Sequence, residues 1–212
     1  NNHGLEEEDG MGNTSTAYDM ALLMRYALRN DMFREIIGTK NYTAKTNTKT
    51  YVWHNKNKLL GSYEYQIGGK TGFTEKARRT LVTASSKDDK TCIVVTLNDG
   101  NDFEDHKDLC ESVFANYERV LLVDKDSLVV DSNDPDKYYV KESYYALLTE
   151  EEKSQIRITY DLHADSKEEE VGVVQIYLDD DLLGTEKIYQ KKEESLAKEG
   201  FLQKFFRWLI GW

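Results

Sequence analysis

Apolar residues recur every three or four positions near the start of the chain, where Ala17, Met20, Ala21, Met24, Ala27 and Leu28 share one side of a helical projection. The spacing predicts a helix over 17–29 with that side turned inward. Thr16-Ala17-Tyr18-Asp19 opens it in the manner of a capping box, with Asp19 in place of the usual glutamate. A short helix over 32–37 is expected next. The period then drops to two, the signature of strands, in runs at 42–45, 51–54, 67–72, 79–85 and 91–97. The last two flank Ser86-Lys87-Asp88-Asp89-Lys90, a polar hairpin connection. Helical spacing returns over 103–120, predicting an amphipathic helix that exposes Glu104, Lys107, Asp108 and Glu111 and buries Leu109, Val113, Phe114 and Tyr117. Consecutive strands with flanking helices imply an α+β fold, an antiparallel sheet covered by helices.

The pattern changes after residue 123. Short strand signals at 128–130, 138–140, 156–160 and 171–178 are separated by polar, acidic turns, and Asp134-Pro135-Asp136 marks a turn near the start. Residues 124–192 therefore read as a small all-β, sandwich-like domain. Asp179-Asp180-Asp181 falls between two apolar strand runs and reads as a hairpin tip. It lacks the spaced oxygen ligands of a calcium loop, so no metal site is expected. The last segment, 193–212, predicts an amphipathic helix. Phe201, Phe205, Trp208, Leu209 and Trp212 share one face, with Gln203, Lys204 and Arg207 elsewhere. Too short to span a bilayer, it suits a helix lying in the headgroup region, the alternative being a helix docked on its own protein.

Charge and special residues narrow the function classes. A net charge of −11 over 212 residues argues against nucleic-acid binding, which calls for a basic face. No run of eighteen apolar residues exists, so no transmembrane helix is expected. The opening Asn1-Asn2-His3-Gly4-Leu5 has no signal-peptide pattern and reads as the interior of a longer chain. The two cysteines, Cys92 in a strand pattern and Cys110 in a helix pattern, read as small buried hydrophobes, with a bridge between them as the alternative. His3, His54, His106 and His163 are scattered without an adjacent Ser/Asp pattern and read as structural or surface groups.

The chemistry concentrates at Gly68-Gly69-Lys70-Thr71-Gly72-Phe73-Thr74, followed by Thr80-Leu81-Val82-Thr83-Ala84. Glycines in a strand allow another backbone to approach edge-on, so such a strand can accept an extended peptide by strand addition. Its lysine and threonine would then hold a terminal carboxylate through charge-assisted hydrogen bonds. A bland hairpin strand with an exposed lysine is the competing reading of this segment taken alone.

Lys-Thr-Gly is one of three motifs that build the site of penicillin-recognising serine enzymes. The order and spacing of Asn2-His3-Gly4-Leu5, Ser15-Thr16-Ala17-Tyr18-Asp19-Met20-Ala21, Gly69-Lys70-Thr71-Gly72-Phe73-Thr74, Leu81-Val82-Thr83-Ala84, Asn98-Asp99-Gly100 and Asp105-His106 resemble the low-molecular-mass penicillin-binding proteins. These are serine-type D-Ala-D-Ala carboxypeptidases. The likeness runs more loosely over the β domain and the tail. It implies that residues 1–123 are the C-terminal part of a penicillin-binding, transpeptidase-like domain. It further implies that Lys70 supplies positive charge beside the nucleophile, that Lys70 and Thr71 bind the substrate carboxylate, and that Gly72 leaves it space. The backbone N–H of Phe73 would be one oxyanion-hole donor. The implied substrate is the peptidoglycan stem peptide, with β-lactams as inhibitors and no cofactor. The implied location is the outer face of the bacterial cytoplasmic membrane, held there by the tail.

The family's other two motifs have no convincing counterpart. The sole Ser-x-x-Lys match is Ser195-Leu196-Ala197-Lys198, in a polar run near the C-terminus. The expectation is a fragment that lacks its nucleophile and is inactive alone. An inactive, membrane-associated module binding cell-wall peptides is the alternative from another class. A β-lactamase relative is disfavoured by the trailing β domain and tail.

Overall fold

In the computed structural model, Thr16 caps the first helix, α1 (Ala17–Ala27), by accepting from the Asp19 N–H at 3.0 Å. The Thr16 hydroxyl in turn donates to the Asp19 carboxylate at 2.9 Å. Aspartate so satisfies the cap hydroxyl where the longer glutamate of a capping box would reach the cap's backbone. The structure describes residues 1, 3–5, 12–130, 137–163 and 170–191. The chain divides into two units, Asn1–Arg119 and Val120–Trp212.

In the first unit, α2 (Asp31–Gly38) follows α1, with Asn30 Oδ1 accepting from the Phe33 N–H at 3.1 Å. A ribbon comes next, β1 (Asn41–Lys45) paired antiparallel with β2 (Thr50–His54) and largely solvent-exposed. The central sheet is β3 (Gln66–Thr74), β4 (Arg78–Lys87) and β5 (Lys90–Leu97), antiparallel in the order β3-β4-β5. The β4–β5 connection is tighter than the pattern predicts. Asp88 and Asp89 both have positive φ, 50° and 60°, as the two-residue hairpin turn that matches strand twist requires.

The two faces of this sheet carry separate cores. Val82, Ala84, Ile93 and Val95 meet Met24 of α1, Leu28 at its C-terminal cap, and Phe33 and Ile37 of α2. On the other face Cys92 and Val94 meet Cys110 and Phe114 of α3 (Asp102–Asn116), with Leu59 and Tyr63 beside them. Both cysteines are free and buried. A hydrogen bond with the Cys110 sulfur, together with burial, holds the Cys92 thiol far above its ordinary range.

Helix α3 departs from expectation in two ways. Its inward stripe is Asp102, His106, Cys110 and Phe114, while Leu109 is half exposed. Polar groups occupy the stripe because the sheet meets them with polar partners. His106, with no solvent exposure, contacts Thr83 Oγ1 at 2.7 Å through Nδ1 and Thr96 Oγ1 at 3.0 Å through Nε2. Two hydroxyls can serve one acceptor and one donor nitrogen, so the ring is held neutral, and burial pushes its pKa down to about 4. The helix also stops at Asn116 rather than running to 120. The buried Lys90 ammonium donates to the carbonyls of Phe114 and Tyr117, at 2.7 and 3.0 Å, and closes its C-terminus.

Beyond α3 the chain enters β6 (Glu118–Val123), which is followed by β7 (Tyr138–Tyr139), β8 (Tyr144–Leu148), α4 (Glu150–Lys153), β9 (Ile156–Leu162), β10 (Glu170–Leu178) and β11 (Asp181–Gln190). β6 pairs with β8, and the rest form a four-stranded sheet in the order β7-β11-β10-β9. The core of the second unit is Val123, Val140, Val174, Ile176 and Ile188. The strand expected at 128–130 is absent, although Leu128 is buried in this core, so its hydrophobicity serves a loop anchor. Asp179-Asp180 form the turn between β10 and β11, and Asp181 already lies in β11. The four-residue α4 interrupts the β pattern, capped by reciprocal Thr149–Glu152 hydrogen bonds. The turn at Pro135 and the tail helix with Phe201, Phe205, Trp208, Leu209 and Trp212 lie outside the described residues.

Candidate active site

Lys70, Thr71, Gly72 and Phe73 follow one another along β3, an edge strand that pairs only with β4 among the described residues. Cross-strand partners share a face, so Lys70, opposite Val82, lies on the side packed by α1 and α2. Thr71, opposite Leu81, and Phe73, opposite Arg79, lie on the side of α3. The lysine and the hydroxyl thus leave opposite faces of one strand. All four residues line a cavity of 840 Å³ and also border a second one of 540 Å³. The Lys70 ammonium donates to the Thr71 carbonyl, and Phe73 is more than half exposed.

Gly69 and Gly72 also face the neighbouring strand closely. A Cβ on Gly72 would meet Thr80 Oγ1 at 2.4 Å, and one on Gly69 would meet the Val82 carbonyl oxygen at 2.4 Å. Their missing side chains let β4 pack closely against β3 at these two positions.

Beside Lys70 the larger cavity contains groups that the sequence pattern does not single out. Lys56, Lys58 and Arg79 also line it, against one carboxylate, Asp102. Asp102, nearly inaccessible at the first position of α3, is ion-paired with Arg79, whose guanidinium carbon lies 5.6 Å from the centre of the Phe103 ring. Lys58 Nζ lies 5.8 Å from the same ring. The loop bearing Lys56 and Lys58 is fixed by the buried Asn57, whose Oδ1 accepts from the Leu59 N–H at 3.0 Å. Asn55 Oδ1 accepts from the Asn57 N–H at 2.9 Å. One signal was available beforehand. Folding the predicted strands 67–72 and 79–85 into an antiparallel pair sets Arg79 next to the Lys-Thr-Gly segment. Lys58 and Asp102 come from distant parts of the chain and left no local trace.

Of the histidines, His106 is structural, His54 Nδ1 contacts Asn41 Oδ1 at 2.7 Å, and His3 lines the larger cavity. Among the described residues no group of three His, Cys, Asp or Glu side chains could hold a metal ion. None of the helices in that part is long and apolar enough to cross a membrane.

Residues 1–101, which carry the whole of β3 and the cavity's four cations, match the family described as D-alanyl-D-alanine carboxypeptidase. That match takes in slightly less than half of the chain. It is similar to the D-alanyl-D-alanine carboxypeptidase of Streptomyces sp. (strain K15), 39% identical over 105 residues that cover 45% of this chain and 36% of that protein. A looser likeness to the D-alanyl-D-alanine carboxypeptidase DacF of Bacillus subtilis, 25% identical, covers 99% of this chain and 57% of the relative. The chain thus spans from about a third to somewhat over half the length of these relatives. In fold it is similar to penicillin binding protein 5 from Haemophilus influenzae, with a TM-score of 0.61 and 22% identity over 85% of this chain and 58% of that one. That likeness bears out the α+β class read from the hydrophobic pattern.

Proposed function

We propose that this chain forms the Lys-Thr-Gly wall of a serine-type D-Ala-D-Ala carboxypeptidase. The enzyme removes the terminal D-alanine from peptidoglycan stem peptides through an acyl-enzyme. The observation that carries this reading is the edge strand β3, which presents Lys70, Thr71 and Phe73 to a cavity rich in cations. A peptide laid antiparallel along that edge brings its terminal carboxylate to Lys70 and Thr71 and its upstream residues toward Phe73. Lys70 contributes the positive field beside the nucleophile, and the Phe73 N–H is one donor to the oxyanion. The serine attacks the peptide carbonyl, D-alanine leaves, and water hydrolyses the acyl-enzyme. The nucleophile belongs to a Ser-x-x-Lys segment outside these 212 residues, and β-lactams acylate the same serine.

The test compares the complete enzyme with its Lys70→Ala variant in acylation by fluorescent penicillin and by a D-Ala-D-Ala peptide. Both rates should fall together by about 30- to 1000-fold, the worth of a charge-assisted contact in a water-poor site, roughly 2–4 kcal/mol. Unchanged rates would remove Lys70 from the site. No acylation of the complete protein, with peptide binding retained, would favour an inactive binding module.

We further propose that residues 201–212 hold the protein on the outer face of the cytoplasmic membrane. The aromatic face of that segment and the cations Lys204 and Arg207 support this reading. The chain should co-sediment with anionic liposomes and lose that property on deletion of 201–212. Equal partitioning of the two forms would refute the assignment.

A further inference from the structure

The β1–β2 ribbon and its flanks carry a charge opposite to that of the rest of the chain. Residues 36–63 hold Lys40, Lys45, Lys49, Lys56 and Lys58 and no aspartate or glutamate. Taking these five from the net charge of −11 leaves −16 on the remainder. All five are exposed, and none belongs to an ion pair among the described residues. A column of rings lies between them. Tyr42 faces Trp53 and Ala44 faces Tyr51 across the ribbon, so strand alternation sets the three aromatics on one side. Trp53 stacks with Tyr42 at 6.0 Å and with Tyr51 at 5.6 Å, the planes 11° and 13° apart. All three rings are exposed, and Lys49 Nζ lies 4.8 Å from the centre of Tyr51. Cross-strand stacking accounts for the pairing of a two-stranded ribbon that has no core of its own. It does not account for five unneutralised cations around it.

Tyr42 and Trp53 also line a cavity of 550 Å³ together with Met32 and Ile36 of α2 and with Lys40, and Glu35 is its one carboxylate. Aromatic walls with a few polar groups are the common make-up of a small-molecule site. None of residues 69–73 borders this cavity, so the surface uses none of the groups assigned to the peptide site. Lys40 stands at the base of the ribbon and Lys45 and Lys49 at its far end, about 17 Å away for five residues of extended chain. Cations at both ends and rings between them fit a linear ligand that combines flat apolar faces with spaced negative charges. The tip, Thr46-Asn47-Thr48, is polar and does not suit entry into a bilayer. We propose that the ribbon binds an acidic glycan, a chain of pyranose rings bearing carboxylates. The apolar faces of the sugars lie against the aromatic column, and their carboxylates meet Lys40 and Lys49 through charge-assisted hydrogen bonds.

Isothermal titration of the full chain at physiological ionic strength separates rings from charge. The probes are tetragalacturonate, its uncharged methyl ester, an end-capped tetraglutamate peptide and tetrathymidylate. Tetragalacturonate should bind about tenfold more tightly than the ester, which lacks the charge, and than tetraglutamate, which lacks the rings. The gap to the ester should narrow to within about twofold in the double variant Lys40→Met, Lys49→Met, whose altered side chains are exposed. Trp53→Ala should weaken tetragalacturonate about tenfold, while Trp53→Phe, which keeps a ring, stays within about threefold of the unaltered chain. No binding of tetragalacturonate, an ester that binds equally well, or a gap that survives in the double lysine variant would overturn the proposal. Tetraglutamate binding as tightly would reduce the surface to a cationic patch, and tighter binding of tetrathymidylate would make it a nucleic-acid surface. Either result would overturn the glycan assignment.

Discussion

Acidification should weaken the first unit through His106, and the size of the effect follows from its surroundings. The ring has no solvent exposure, bonds Thr83 and Thr96 through its two nitrogens, and has its pKa lowered to about 4 by burial. Asp102, Asp99 and Asp105 pull the other way without prevailing. In the unfolded chain the same side chain titrates near 6.5. Between these values the unfolded state binds a proton that the folded state refuses, so stability is complete above about pH 6.5 and is lost as pH falls toward 4. The full loss is roughly 3 kcal/mol, and about 2 kcal/mol of it falls between pH 7.5 and pH 5. With a urea m-value of about 2 kcal/mol/M, the midpoint should drop by about 1 M over that interval. Carboxylates contribute to any acid effect, so the informative quantity is the difference between the unaltered chain and His106→Gln. Glutamine can offer one donor and one acceptor to the two threonines but takes up no proton. Its midpoint should change by about 1 M less between pH 7.5 and 5. Parallel pH profiles for the two proteins would refute the account.

Two further substitutions test the packing around the site. Lys90→Met removes the donor that closes the C-terminus of α3 and leaves the carbonyls of Phe114 and Tyr117 under-satisfied. We expect a loss of about 1–3 kcal/mol, read by urea denaturation, with faster amide exchange confined to the last turn of the helix. Gly72→Ala places a methyl group 2.4 Å from Thr80 Oγ1 and should cost about 1–3 kcal/mol. Thr80→Ala in the same chain should recover most of that loss, because the two residues are cross-strand partners. Additive effects would mean that Gly72 is needed for another reason.

The regular elements were legible where each residue's neighbours in sequence decide its environment. The stripe Ala17, Met20, Ala21, Met24, Ala27 and Leu28 predicts the buried side of α1, and period-two runs located all five strands of the first unit. The pattern failed where burial is polar. Nothing in the sequence marks Asp102, and His106 reads only as a structural or surface group, yet the two form half the inward stripe of α3, because Arg79, Thr83 and Thr96 wait for them on other elements. It failed again at residues 117–120, where Lys90, far earlier in the chain, ends a helix that local propensity would extend. Leu128 misled in the opposite sense, since a loop can bury a leucine as fully as a strand. The Lys-Thr-Gly segment stood out by its motif, whereas Lys58 and Phe103 joined it through tertiary contacts alone.

The division of labour along β3 has a consequence for selectivity on the proposed reading. An unpaired strand edge attracts extended peptides without regard to sequence, because main-chain groups make the pairing. Discrimination must then come from side chains that flank the edge, and here these leave opposite faces of the strand, Lys70 on one and Thr71 and Phe73 on the other. A ligand lying in the plane of the sheet can be reached from both faces only at its end, where no onward chain separates them. Lys70 and Thr71 can therefore converge on a terminal carboxylate but not on a mid-chain peptide group. Close packing of Gly69 and Gly72 against β4 goes with the register that places the two side chains on opposite faces. On the proposed reading, exopeptidase selectivity would follow from strand alternation at a sheet edge, with the charge of Lys70 setting its strength.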